Sequence, residues 1–174
     1  MDRRTTLALT AVVTLCVGAA FPGSAVAQSA KDIVGSWRLV SWVEEETETK
    51  AQHKNFGDNP NGIVTYTADG RMSIIFTDPR RQPPASPKAT DAEAAQLYRG
   101  MVAYAGSYRL EDGKVIHKVE VSWNRVWDGQ ERPPNVVEIK GDRLTYKTSP
   151  FVSPFLGKEM VATLVWERIG SGTH

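Results

Sequence analysis

The chain has 174 residues, 21 Lys and Arg against 20 Asp and Glu, a net charge of +1, 41 % hydrophobic residues and one cysteine. So even a balance supplies no clustered positive field to displace phosphate counterions, which excludes a nucleic-acid binder. The length suits one domain that buries roughly two thirds of its unfolded surface, and a lone cysteine excludes a disulfide framework.

The chain opens on Asp2-Arg3-Arg4, continues through an almost uncharged apolar run over 5–21, and breaks at Pro22-Gly23 before Ala25-Val26-Ala27. This basic, apolar and small-residue sequence predicts a secretory signal, residues 1–27, cut after Ala27. The domain is then 28–174, periplasmic or secreted, with no integral membrane segment once the signal is gone. Cys16 lies inside the apolar run after Leu15, where a lipoprotein signal needs a small residue, so it leaves with the signal.

From residue 33 onward apolar residues recur at period two in eight short runs: 33–43, 62–67, 71–77, 102–110, 115–123, 135–140, 143–148 and 160–168. That spacing predicts half-buried strands. Asp69-Gly70, Asp112-Gly113 and Gly141-Asp142 separate neighbouring runs as two-residue hairpin turns do, so the neighbours are antiparallel. Glu44-Glu45-Glu46-Thr47-Glu48 is expected to be a solvated strand end and loop. The proline-rich stretch 78–88, with Arg80-Arg81, predicts an irregular surface loop. A short helix follows over about 90–100: Thr90 and Glu93 form a capping box, and Ala94, Leu97, Tyr98 and Met101 share a face, as a plug or as a lid at one barrel end.

Eight strands joined mainly by hairpins favour a closed barrel, which hides every edge and leaves an interior for side chains or one ligand. Gly35-Ser36-Trp37 on the first strand and Trp166-Glu167-Arg168 on the last resemble the Gly-x-Trp and basic-residue signatures of lipocalins and the wider calycin group. Stacking of Arg168 on Trp37 would close the barrel floor. The words Val34-Gly35-Ser36-Trp37-Arg38-Leu39-Val40-Ser41, Asn61-Gly62-Ile63-Val64-Thr65-Tyr66-Thr67-Ala68-Asp69-Gly70-Arg71-Met72, Ala103-Tyr104-Ala105-Gly106-Ser107-Tyr108 and Val115-Ile116-His117-Lys118-Val119-Glu120 are similar to those of the bacterial and fungal lipocalin-like domain proteins. The resemblance implies an all-β fold, an eight-stranded antiparallel up-and-down barrel, with a ligand-sized interior. It implies no single activity.

Chemistry concentrates at His117. Alternation places it with Val115, Val119 and Val121 on the inward face, either as a satisfied core group or as a donor or acid/base facing a ligand. Tyr104 and Tyr108 flank Gly106 on the neighbouring strand and are expected on the same wall. Trp123 and Trp127, with Arg132 beyond, form a second concentration, and Tyr66, Met72 and Phe76 supply apolar walls. No Cys, H-x-H or H-E-x-x-H pattern points to a metal, and no nucleophile elbow or phosphate loop points to a hydrolase or nucleotide enzyme. Cofactors are not expected; haem on a lone axial His117 is the one arrangement the pattern admits. The leading expectation is an exported protein that binds a small apolar or amphipathic molecule in its barrel. Two alternatives stand beside it: a cofactor-independent isomerase, cyclase or lyase with His117 as acid/base and Tyr104 or Tyr108 as donor, and an envelope or stress interaction protein with a filled barrel. Nothing in the sequence sets an oligomeric state.

Overall fold

The computed structural model describes residues 30–170, so the signal segment, Cys16 and His174 lie outside it. In chain order, a helical turn α1 (Ala30–Ile33) leads into β1 (Gly35–Glu46), the short β2 (Gln52–His53), β3 (Asn61–Tyr66), β4 (Arg71–Thr77), helix α2 (Asp91–Arg99), β5 (Met101–Glu111) and β6 (Lys114–Ser122). A single 3₁₀ turn (Arg125–Trp127) then precedes β7 (Asn135–Lys140), β8 (Arg143–Lys147), the short β9 (Phe151–Val152) and β10 (Glu159–Arg168). All eight predicted runs are strands, paired antiparallel in the order β1-β3-β4-β5-β6-β7-β8-β10, and β10 returns to pair with β1. The sheet is therefore a closed up-and-down barrel.

One end is shut. There α1 packs beneath the barrel, Trp37 donates its indole N–H to the Ile33 carbonyl at 2.9 Å, and the Arg168 guanidinium lies 4.0 Å over the Trp37 ring. Arg168 also donates to the carbonyls of Val34 (2.8 Å) and Asp32 (2.7 Å). Gly35 has a φ of +131°, and a Cβ there would lie 2.8 Å from the Arg168 guanidinium, so the first residue of the Gly-x-Trp triplet must be small for the arginine to reach its place. The tight turns between β3 and β4, β5 and β6, and β7 and β8 sit at this end too. The first of them is wider than two residues: Thr67 N–H bonds Arg71 O at 2.9 Å and Gly70 N–H bonds Thr67 O at 3.1 Å, enclosing Ala68-Asp69-Gly70.

Two bulges change the phase of the strands, and both decide which side chains enter the barrel. In β1, Leu39 pairs with Trp166 and Ser41 with Val165, leaving Val40 as an extra residue. Before it Trp37 and Leu39 are buried; after it the inward set becomes Trp42, Glu44 and Glu46. In β6, Ala105 pairs with Val121 and Gly106 with Val119, so Glu120 is the extra residue. Val115, His117 and Val119 are buried as expected, but Val121, expected beside them, is 61 % exposed because the bulge turns it outward. Gly106 makes that bulge possible, since a Cβ there would stand 1.9 Å from the Lys118 carbonyl oxygen.

β6 and β7 share only the pairs Lys114–Val136 and Val115–Asn135. Residues 129–132 fill the gap by running back along β6: Val119 N–H bonds Gln130 O at 2.9 Å, Gly129 N–H bonds Val119 O at 3.0 Å, and Arg132 N–H bonds His117 O at 2.8 Å. Helix α2 carries the predicted Thr90–Glu93 capping box, with Met101 beginning β5 rather than ending the helix. None of its residues is buried. It flanks the open end, where Trp123 donates its indole N–H to the Tyr98 carbonyl at 3.3 Å, and does not plug the interior.

Candidate functional site

Between the shut floor and the open-end loops lies a cavity of about 100 Å³. Its walls are mainly aromatic and aliphatic, including Trp42, Tyr66, Phe76, Trp127, Leu164 and Trp166. The mouth is narrowed by an aromatic cluster in which Trp42 packs on Phe56 (4.9 Å between ring centroids), Phe76 (5.4 Å) and Phe155 (5.8 Å). The contacts with Phe56 and Phe155 are edge-to-face, and such pairs add roughly 0.5–1.5 kcal/mol each to the burial itself.

His117 sits behind one wall, fully buried. Its Nε2 is 3.0 Å from the Tyr66 hydroxyl, its Nδ1 is 3.0 Å from the Tyr104 hydroxyl, and the Tyr146 ring stacks on it at 6.0 Å and 28°. Burial pushes its pKa down from the usual 6.5 to about 3, and the nearby Arg132 charge acts in the same direction. Burial likewise pushes Tyr104 up to about 12, with Arg132 opposing, and holds Tyr66 well above 10. All three groups are therefore neutral at physiological pH. A neutral imidazole has one N–H and one lone-pair nitrogen, so one phenol donates to the ring and the other accepts from it. The accepting phenol keeps its own O–H hydrogen, and both phenols line the cavity. The two hydroxyls are thus directed at the imidazole behind the wall, and the tyrosine rings, not their hydroxyls, form the cavity surface beside it.

Among the residues singled out from sequence, Tyr66, Phe76, Tyr104, Trp127 and Arg132 line this cavity. The Arg132 guanidinium lies 4.2 Å over the Trp127 ring, which packs edge-on against Tyr104 at 5.7 Å. His117 supports the wall without lining it, and both its ring nitrogens are occupied, so neither axial ligation of haem nor direct proton transfer to a ligand has a free nitrogen to use. Tyr108 pairs opposite His117 on the neighbouring strand but makes no hydrogen bond to it: its ring packs on Tyr66 at 4.9 Å and its hydroxyl donates to the Thr67 carbonyl at 2.9 Å. Met72 is a core residue beneath the wall, and Trp123 packs on Trp127 at 4.7 Å and on Tyr98 at 6.0 Å outside the cavity.

Glu44 corrects the expectation of a solvated acidic run. It is fully buried, and Glu46 nearly so, because the Val40 bulge turns the even-numbered residues inward. Glu44 Oε2 accepts from Ser153 Oγ at 2.8 Å and Asn55 Nδ2 at 2.7 Å, whereas Oε1 has no partner. Burial raises its pKa above 4.5 against the opposing effect of those two hydrogen bonds. The Trp42 indole N–H is also buried without a partner. A buried polar group left unpaired costs about 1–3 kcal/mol. The sequence held a signal for this: the large residues Leu39 and Trp42 stand three apart, a break in period two that marks an inserted residue. Tyr146, also missed, follows from Leu144, Tyr146 and Thr148 alternating on β8 and just beyond it.

Residues 34–169 match the family described as lipocalin-like domain. The chain belongs to the lipocalin-like domain family. No curated protein gives a significant match to it. Within this lipocalin-like barrel, the Trp37–Arg168 closure, the eight strands and the single capped helix agree with the expectations drawn from the resemblance.

Proposed function

We propose that this lipocalin-like protein is exported and binds a small, largely apolar molecule in its barrel cavity. The observation that carries the reading is an apolar cavity of about 100 Å³ whose mainly aromatic walls are broken by a few polar side chains, Glu44, Arg132, Asn135 and Ser149. Binding sites for small molecules commonly have this form, with apolar walls and a few placed polar groups. The volume limits the occupant: it exceeds the roughly 30 Å³ of one liquid water and falls below the roughly 300 Å³ of drug-sized pockets. A single ring or short chain fits; a lipid or a haem requires the mouth to open. The export half of the reading rests on the basic, apolar and small-residue pattern of residues 1–27.

Native mass spectrometry of the protein taken from its own compartment tests this, together with NMR titration of the emptied mature chain with benzene. A copurified small molecule, or saturable shifts at Tyr66, Tyr104 and Tyr146, is the expected result. A bare mass with no shifts at millimolar benzene overturns the reading.

A further inference from the structure

Of the three buried side-chain atoms without a partner among the described residues, Arg81 Nε lies in the loop before α2, whereas Glu44 Oε1 and Trp42 Nε1 belong to cavity-lining side chains on the same face of β1. Neither is explained by the floor closure or by the Tyr66–His117–Tyr104 chain. We propose that Trp42 and Glu44 form a recognition pair that selects a neutral hydroxylated molecule, an alcohol or phenol, for the cavity. This rests on the cavity being a ligand site, as proposed above, and names its ligand class.

Residues two apart on a strand are separated by roughly 6.5–7 Å, a span that one small ring covers. Ser153 and Asn55 hold the Glu44 carboxyl by Oε2, which fixes Oε1 as the oxygen left for a guest. A hydroxyl accepts from an indole N–H and pairs with a carboxyl oxygen in either protonation state, donating to a carboxylate or accepting from a carboxylic acid. Charge narrows the class further. An anionic guest meets Glu44, and a cationic one meets Arg132, which lines the same cavity. The raised pKa of Glu44 is in keeping with a neutral occupant.

The test compares phenol with benzene, two probes of nearly equal size that differ in the hydroxyl, with benzoate and benzylammonium as charged controls. Binding to the mature chain is followed by NMR on the tryptophan indole N–H resonances. Phenol should bind about tenfold or more tightly than benzene, and should move the Trp42 indole N–H resonance further downfield than benzene does, as a new hydrogen bond requires. Glu44→Gln, which keeps a polar group in place, should retain the preference; Glu44→Leu and Trp42→Phe should each reduce it. If Glu44→Leu fails to fold, Trp42→Phe decides, because it removes the N–H and keeps an aromatic ring. Equal binding of phenol and benzene overturns the recognition pair while leaving the cavity a ligand site. Tighter binding of benzoate or benzylammonium than of phenol overturns the neutral class. Binding of none of the probes overturns both this inference and the function on which it rests.

Discussion

The barrel interior holds two polar centres that solve the same physical problem differently. At His117 both ring nitrogens meet phenol oxygens at 3.0 Å, a third tyrosine stacks above, and burial keeps every member neutral. At Glu44 one carboxyl oxygen is held by two donors and the other has none. A closed network rigidifies a core, whereas a half-closed one carries a standing penalty that a partner from outside removes. The difference separates a satisfied scaffold from an unsatisfied group: His117 holds Tyr66 and Tyr104 in position, and Glu44, on the cavity wall, keeps one carboxyl oxygen without a partner.

The strongest way to break this comparison is to remove the scaffold. His117→Ala strands two phenol hydroxyls and opens a void, and should cost about 3 kcal/mol or more, seen as a melting temperature lower by roughly 10 °C. A change within error at pH 7.5 would mean that the network is not closed.

Acid should act on the same centre with a smaller effect. The folded pKa of about 3 lies below the ordinary 6.5, so the unfolded chain takes up a proton that the folded barrel refuses. Stability is therefore level above pH 6.5 and falls as pH drops from 6.5 toward 3, by about 2 kcal/mol at pH 5. Urea denaturation at pH 7.5 and pH 5 measures this, and a His117→Gln variant should lose the slope across that interval. An unchanged slope in the variant would assign the acid sensitivity elsewhere than His117; Glu46, whose carboxyl is held down to about 2 by Lys158 and Thr49, loses its contribution only below 4.5 and lies outside that interval.

Glu44 should show the smallest effect and the opposite sign. Its folded pKa is raised, so its contribution is present below 4.5 and lost as pH rises through the folded value. Glu44→Gln should then melt above the parent at pH 8, with the gap closing toward pH 4.5. A variant that melts lower at pH 8 would show that the Ser153 and Asn55 donors already favour the ion, and the contrast between the two centres would narrow.

The architecture was legible because it depends on local periodicity and turn chemistry. The eight runs, the Thr90–Glu93 cap and the stacking of Arg168 on Trp37 each follow from a few neighbouring residues or from a pair whose meeting barrel closure demands. The site was legible only in part, because two single-residue bulges reset the phase beyond Val40 and at Glu120. Strict alternation kept Val121 inside, and charge alone placed Glu44 in a solvated run. Tyr108 was grouped with Tyr104 by the same alternation and does stand directly opposite His117 across β5 and β6, yet its side chain turns toward the shut end, where its hydroxyl donates to the Thr67 carbonyl, whereas Tyr104, paired with Ser122, reaches back to the imidazole. Spacing along a strand gives the face on which a residue lies but not the direction in which a long side chain leans.

The pairing that closes the barrel joins the first long strand to the last, from Trp37 opposite Arg168 to Glu46 opposite Met160. Contacts between opposite ends of a chain are slow to form, because the whole intervening loop must be ordered first. A chain emerging from its N-terminus can make the hairpins β3–β4, β5–β6 and β7–β8 early, but β1 keeps an open edge until β10 arrives. During that interval Trp42 and Glu44 face water rather than a cavity, and the free edges of β1 and β8 can pair with another copy. The ring of hydrogen bonds that protects the finished barrel thus makes the last ten residues of the sheet decisive for whether the chain folds alone or aggregates.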